Sequence, residues 1–301
     1  MTGLRVLVVG GTGGLVGRAL RAEFAEDWAI RSVHRRPVPA ERDGPGTVEW
    51  IRADATAVRD WGPLLDGVEG VVTLAWLREG RSRQFGPLAD SLVRLIRAAE
   101  AAGPSWFLHL SVPQAPRPLE TGLPYLTEKR RVDRALEASR LPYLILRPTL
   151  LFGPGDRLLT VMLRLMHRYG IFPMFGDGHF HVSPLASRDL ARIARRELGG
   201  PPRRNLLLGG PRRWEYRELT DRLFAALGRR PRYGPLGPRG SARIARTMER
   251  LGLRTIYEYE VLWLLSDMLG LPPYVGLNAP LEEVGPFLDR EAARLMGGGV
   301  G

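Results

Sequence analysis

The turn Gly10-Gly11-Thr12-Gly13-Gly14-Leu15-Val16-Gly17 joins the near-continuous apolar run of residues 4–9 to a helix-like stretch at 15–26. A strand apolar at successive positions is buried on both faces, which points to a parallel sheet covered by helices. Gly11, Gly14 and Gly17 fall in the spacing G-x-x-G-x-x-G. Glycine permits the tight turn and a close backbone approach, and the following helix offers unpaired N–H groups and the positive end of its dipole. That arrangement holds a pyrophosphate. A glycine turn alone often serves only geometry; its place between a buried strand and a helix gives this one a ligand-binding reading. Gly11, Thr12, Gly13, Gly14, Leu15, Val16 and Gly17 are therefore candidate cofactor-binding residues.

The pattern that follows supports a doubly wound sheet. Further strand-like runs lie at 29–34, 48–52, 71–75, 106–110 and 143–147, with helical patterns at 58–65, 88–102 and 125–139 between them. Such alternation gives parallel strands with crossover helices. Beyond residue 155 the reading is mainly helical, at 157–168, 187–198, 216–227, 242–251 and 283–296, with Pro- and Gly-rich joints at 201–202, 209–211 and 232–239. The expected fold is α/β: a Rossmann-type doubly wound parallel sheet over residues 1–155, with 176–210 returning to it. A smaller, mostly helical C-terminal substrate lobe takes 156–301.

The second strand ends at His34-Arg35-Arg36, about twenty residues past the glycine turn. An acid there would bind a ribose 2′-hydroxyl, whereas Arg35 and Arg36 can pair with a 2′-phosphate. NADP is the expected cofactor, with NAD the alternative.

Pro124 suits the first turn of a helix, and on that helix Tyr125 and Lys129 stand four apart on one face. Of 44 basic residues, Lys129 is the single lysine. A chance Y-x-x-x-K would arise roughly 0.03 times in a chain with eight tyrosines and one lysine. A compact ammonium one turn away can lower the proton affinity of a phenol whose pKa is ordinarily about 10, which the planar arginine fork does less readily. Tyr125 and Lys129 are thus catalytic candidates. Ser111 closes the fifth strand; its hydroxyl can polarise a substrate carbonyl or tie its own backbone in the turn.

The net charge of +12 raises nucleic-acid binding, but arginines are spread along the whole chain among acids, with no basic run interleaved with aromatics. No nucleic-acid partner is expected. No stretch approaches the ~20 apolar residues of a membrane span, no secretory pattern opens the chain and there is no cysteine, so a cytoplasmic location and a small-molecule substrate are expected. His179 and His181 lack an evident third ligand, so no metal is expected. Tyr169, Phe172, Met174 and Phe175 read as pocket lining or as core between the lobes, and Trp76 and Arg78 as substrate contacts or surface. Residues 257–271 read as an amphipathic or buried helix that could dock a partner subunit.

The glycine turn, Ser111, Tyr125-x-x-x-Lys129 and Arg147-Pro148-Thr149-Leu150-Leu151-Phe152-Gly153-Pro154-Gly155 together resemble the short-chain dehydrogenase/reductase superfamily. The likeness is to its extended and atypical branches, which include nucleoside-diphosphate-sugar epimerases and relatives of a complex I accessory subunit. It covers about residues 4–230. It implies a proton donor/acceptor at Tyr125, a ribose and phenol partner at Lys129, an adenine contact at Asp54, and cofactor contacts at Ala75 and Pro148. By analogy it also implies a possible homodimer. The family often carries two adjacent hydroxyl residues after the fifth strand, and Val112 occupies the second place here. That departure leaves two expectations: an oxidoreductase or epimerase-like enzyme, or a non-catalytic NADP(H)-binding sensor or assembly subunit.

Overall fold

A computed structural model describes residues 3–35, 47–76, 85–114, 116, 122–237, 240, 261–262 and 264–297. Arg36, Arg78, the expected helix at 242–251 and residues 257–260 and 263 lie outside the described residues; of the described part of 257–271, residues 261–262 and 264 are helical and 265–268 form turns. The chain divides into two compact units. The first comprises Met1–Val112, Glu120–Pro148 and Ser187–Leu207; the second comprises Pro113–Leu119, Thr149–Ala186 and Leu208–Gly301.

In the first unit, β1 (Leu4–Val9), β2 (Trp28–His34), β3 (Thr47–Arg52), β4 (Gly70–Thr73), β5 (Trp106–Leu110), β6 (Tyr143–Pro148) and β11 (Arg204–Leu208) form one sheet. The order is β11-β6-β5-β4-β1-β2-β3, and the pairings among β1 to β6 are parallel. Apolar runs dictate this arrangement: Val6–Val9 and Tyr143–Leu146 of β6 are buried, as strands sandwiched between helices must be. Helix α1 (Leu15–Glu23) packs on α6 (Ser187–Leu198), while α3 (Phe85–Ala102) packs on α2 (Gly62–Leu65) and α4 (Pro124–Ala138). Trp61 anchors α2, being fully buried with its indole N–H donated to the Ser91 carbonyl at 3.0 Å. At the end of α1, Arg195 of α6 pairs with Glu23 and with Asp27 (2.7 Å) and lies 4.5 Å over the Phe24 ring.

Two differences from the sequence expectation are physical. A seventh strand, β11, completes the sheet, and the return to the first unit runs over Ser187–Leu207 rather than from residue 176. The first unit closes at Pro148, not 155, because the residues after it pair elsewhere.

The second unit carries helices α5 (Leu158–Tyr169), α7 (Tyr216–Ala226) and α8 (Val284–Gly297). Three two-stranded pairs accompany them: β7 (Leu151–Phe152) with β10 (Leu185–Ala186), β9 (His181–Val182) with β12 (Trp214–Glu215), and β8 (Phe172–Phe175) with β13 (Tyr233–Leu236). It is therefore less purely helical than its composition suggested. Phe172, Met174 and Phe175 belong to this unit's own core with Phe152, Leu163 and Phe224, and Tyr169 is exposed. His179 pairs with Glu215 and His181 with Asp267, both near the surface. Among the described residues, no helix is long and apolar enough to cross a membrane.

Candidate dinucleotide site and the Tyr125–Lys129 helix

The glycine turn leaves β1 with two left-handed residues, Gly10 (φ +108°) and Gly11 (φ +83°), a conformation L side chains rarely adopt. Space is as restrictive as angle. A Cβ on Gly10 would stand 2.3 Å from the Ala75 amide, and one on Gly17 would stand 2.4 Å from the Gly11 carbonyl oxygen. At Gly14 the result is opposite: a Cβ there meets nothing within 4 Å. Gly14 is the extended N-cap of α1, no side chain caps that end and no acid sits in the first turn. First-turn N–H groups have no partner inside their helix and are left to an outside acceptor.

Beside this turn lies an open cleft of about 540 Å³, lined by Gly10, Gly11, Gly13, Gly14, His34, Arg35, Asp54, Ala75 and Trp76 among others. Gly17, Leu15, Val16 and the buried Thr12 do not line it; Gly17 instead lets α1 press onto the turn. Thr12 Oγ1 is buried without a hydrogen-bond partner among the described residues. The open space at Gly14, the uncapped helix end and the cleft's size all suit a dinucleotide.

Asp54, just past β3, accepts hydrogen bonds from the Thr56 amide (2.9 Å) and hydroxyl (2.8 Å). The amide bond, helped by the Thr56 hydroxyl and the charge of Arg35, holds its carboxyl below the usual range despite partial burial. Arg35 is exposed at the end of β2. Ala75 donates its amide to Val9 at 2.9 Å, which fixes the wall of the cleft next to Gly10. Pro148 closes β6, is buried and does not line the cleft.

Helix α4 starts at Pro124, as the residue's fixed φ favours. Its first turn sets the half-buried Tyr125 edge-on against Trp76 (5.9 Å between centroids) and Phe85 (5.7 Å). One turn later Lys129, 3% exposed, points its Nζ over the Trp76 ring at 4.4 Å and donates to the Leu110 carbonyl at 2.7 Å. Burial pushes the Lys129 amine down to about 7; Arg147 and Arg130 push the same way, and Asp133 opposes them.

Asp133, a further turn along α4, was not among the sequence candidates, nor was His109. The Asp133 carboxylate is almost fully buried and its Oδ2 accepts from Ser111 Oγ (2.9 Å), Arg130 and Arg147. Its Oδ1 stands 3.3 Å from His109 Nε2, while His109 Nδ1 meets Thr73 Oγ1 at 2.6 Å. Burial disfavours the Asp133 anion, but His109 and Arg147 outweigh it and hold the carboxyl far below its ordinary range. Burial, aided by Lys129 and Arg147, lowers His109 to about 4, so its imidazole is neutral at pH 7.

Ser111 therefore resolves differently from either sequence alternative. Its hydroxyl donates to Asp133 and accepts from Arg147 at 3.1 Å, so its described partners are side chains, neither its own backbone nor the cleft. The signal that could have exposed this cluster was spacing: Tyr125, Lys129 and Asp133 recur every four residues, and His109 is the lone polar residue inside the apolar strand WFLHL.

Comparison with known proteins agrees with this fold. The family described as NAD(P)H-binding matches residues 10–162, about half of the chain. A ceramide reductase from Caulobacter vibrioides is 29% identical over 195 residues, 62% of this chain and 60% of the relative, so the alignment leaves well over a third of that protein unmatched. A (4-alkanoyl-5-oxo-2,5-dihydrofuran-3-yl)methyl phosphate reductase from Streptomyces griseus is 28% identical over 243 residues, 77% of each chain. Among solved structures, the UDP-glucuronic acid 4-epimerase of Bacillus cereus, with UDP-glucuronic acid and NAD, superposes with a TM-score of 0.70 at 17% identity. That match covers 98% of this chain and 99% of the other, so the expected epimerase-like Rossmann fold is borne out. The chain belongs to the NAD(P)H-binding family.

Proposed function

We propose that the chain is a cytoplasmic NADP-dependent oxidoreductase, or an epimerase-like enzyme using its cofactor transiently, that acts on a carbonyl or alcohol of a small metabolite. One observation carries the reading: Tyr125 and Lys129 stand one helical turn apart, both against Trp76, which itself lines the dinucleotide cleft. When bound, the nicotinamide supplies hydride exchange. The chain's own residues do the rest. Gly11, Gly13 and Gly14 line the seat of the pyrophosphate, Asp54 and Arg35 flank the adenosine end, and Trp76 and Phe85 hold the Tyr125 ring. Tyr125 Oη gives a proton to the substrate oxygen in reduction and takes it in oxidation; the nearby Lys129 stabilises the phenolate left behind. Both curated relatives bear reductase names, which favours carbonyl reduction; the sugar-nucleotide complex makes such substrates a second class to try.

Purified protein with NADPH and a carbonyl panel should consume the cofactor, followed by absorbance. Tyr125→Phe should lower turnover by at least about 10²-fold while NADPH still binds, the range of a lost general acid. Undiminished turnover would remove the tyrosine from the reaction. Arg35→Glu should weaken NADPH by about tenfold or more relative to NADH in calorimetric titrations, since a 2′-phosphate would lose its cation and meet an anion. An unchanged ratio would make NAD the partner.

A second reading has its own support: the Ser111 hydroxyl is committed to Asp133 and Arg147, and Val112 follows it. A non-catalytic NADP(H)-binding sensor or assembly subunit would bind NADPH, turn over nothing across the panel and ignore Tyr125→Phe.

A further inference from the structure

The buried cluster behind Tyr125 sets a lysine among arginines. Lys129, Arg130 and Arg147 are each at least 96% buried, and the Asp133 carboxylate is buried with them. Glu137 reaches Arg147 Nη2 at 3.3 Å from the rim, where it is 34% exposed. Asp133 Oδ2 already takes Ser111, Arg130 and Arg147, and Oδ1 faces His109; the Lys129 amine bonds the Leu110 carbonyl instead. Among the described residues, the buried Lys129 amine thus meets a carbonyl rather than a carboxylate, with Asp133 one helical turn further along α4.

Burying an ammonium against a neutral acceptor is expensive, and a site relieves it by shedding a proton where one can leave. Guanidinium groups keep theirs. Lys129 is the cation that can give one up.

The same contacts fix the strand end that Lys129 uses. The Val112 carbonyl accepts from Arg130 (3.2 Å) and Arg147 (3.2 Å), and Ser111 is held by Asp133, so the end of β5 that presents the Leu110 carbonyl is clamped to α4 and β6.

We propose that Asp133 is a positioning residue which, with Arg130 and Arg147, sets the charge carried by Lys129. The groups acting on that amine are Asp133 and Arg130 from α4 and Arg147 from β6, with His109 of β5 acting through Asp133. Asp133 holds the proton on the amine; the two arginines drive it off. Lys129 thus exchanges a proton with its surroundings near neutrality rather than remaining a fixed ammonium beside Tyr125. The role in catalysis rests on the proposed oxidoreductase reading; the charge control does not.

Because Lys129 is the single lysine of the chain, protein labelled with ¹³C-lysine gives one side-chain Cε signal, whose pH titration needs neither substrate nor cofactor. The wild-type midpoint is expected at about 7. Asp133→Asn should lower it and Arg130→Gln should raise it, each by about one unit or more, the usual effect of a buried neighbouring charge. Asp133→Glu should restore a near-wild-type value. If Asp133→Asn does not fold, as judged by its melting transition, Arg130→Gln and Arg147→Gln carry the test, both predicting an upward shift. A wild-type midpoint near that of an ordinary lysine overturns the proposal. So does a midpoint that fails to move in folded variants, or that moves the same way when the anion and a cation are removed, the result a merely structural cluster would give. A midpoint that moves as stated, together with full turnover in Tyr125→Phe, would leave this control standing and remove the catalytic assignment alone.

Discussion

Gly17→Ala should abolish measurable NADPH binding and lower the melting temperature by several degrees, whereas Gly14→Ala should weaken binding with the melting temperature unchanged. The two glycines share a motif and differ in what surrounds them. An added methyl at Gly17 stands 2.4 Å from the Gly11 carbonyl oxygen and 2.7 Å from Thr12 Cα, all backbone, so either the turn or α1 must move. Overpacking of that kind costs about 1–3 kcal/mol, and the shift spoils the turn that seats the ligand. At Gly14 the backbone is extended, with φ −81° and ψ 173°, which alanine adopts freely, and the methyl enters empty space. If that space belongs to the pyrophosphate, affinity falls by about tenfold or more, since displacing one well-placed contact is worth about 1.4 kcal/mol. Calorimetry paired with thermal melts separates the two outcomes. Equal binding by wild type and Gly14→Ala would place the phosphates elsewhere.

Lys129→Met should abolish turnover and yet stabilise the protein. Holding the amine at about 7 rather than 10.5 means that the fold disfavours the ammonium, at about 1.4 kcal/mol for each unit. Below pH 7 both folded and unfolded chains carry the proton and the whole penalty applies. Between pH 7 and 10.5 the folded amine is neutral, the unfolded one still protonated, and the penalty shrinks as pH rises; above 10.5 it vanishes. Methionine keeps most of the packing against Trp76 and loses the bond to Leu110, which is worth about 1 kcal/mol. A net gain of a few kcal/mol is expected at pH 7, narrowing toward pH 10. Chemical denaturation of both proteins across that range measures it, and a wild type more stable than the variant at pH 7 would show that the ammonium is well accommodated.

Much of the first unit was legible because its signals are local. The strand at Trp106–Leu110 and the helix at Ser187–Leu198 occur within the bounds their apolar patterns set, and the glycine turn lies where β1 hands over to α1. Helix α2 is shorter than its apolar spacing suggested, because Pro63 fixes its first turn and Trp61 turns inward to Ser91. Two of the small pairs of the second unit, β7 with β10 and β9 with β12, are two residues long, and partners more than thirty positions away create them; no periodicity of 3.6 or 2 can announce that. The Asp133 cluster was hidden differently. In the run Glu128-Lys129-Arg130-Arg131-Val132-Asp133-Arg134, charged residues look like a solvated helix face, yet Arg131 is half exposed while Lys129, Arg130 and Asp133 are inside. Only knowing which face meets β5 and β6 tells them apart.

The late return of Ser187–Leu207 has a consequence for how this protein can be handled and how it is made. Without β11, strand β6 becomes the margin of the sheet, and its buried residues, Arg147 among them, are left with an open row of unpaired backbone groups. Such margins recruit other chains. A fragment cut at Pro148 would thus be sticky rather than a minimal nucleotide-binding module, and on the ribosome the nascent sheet stays incomplete until about sixty further residues have emerged.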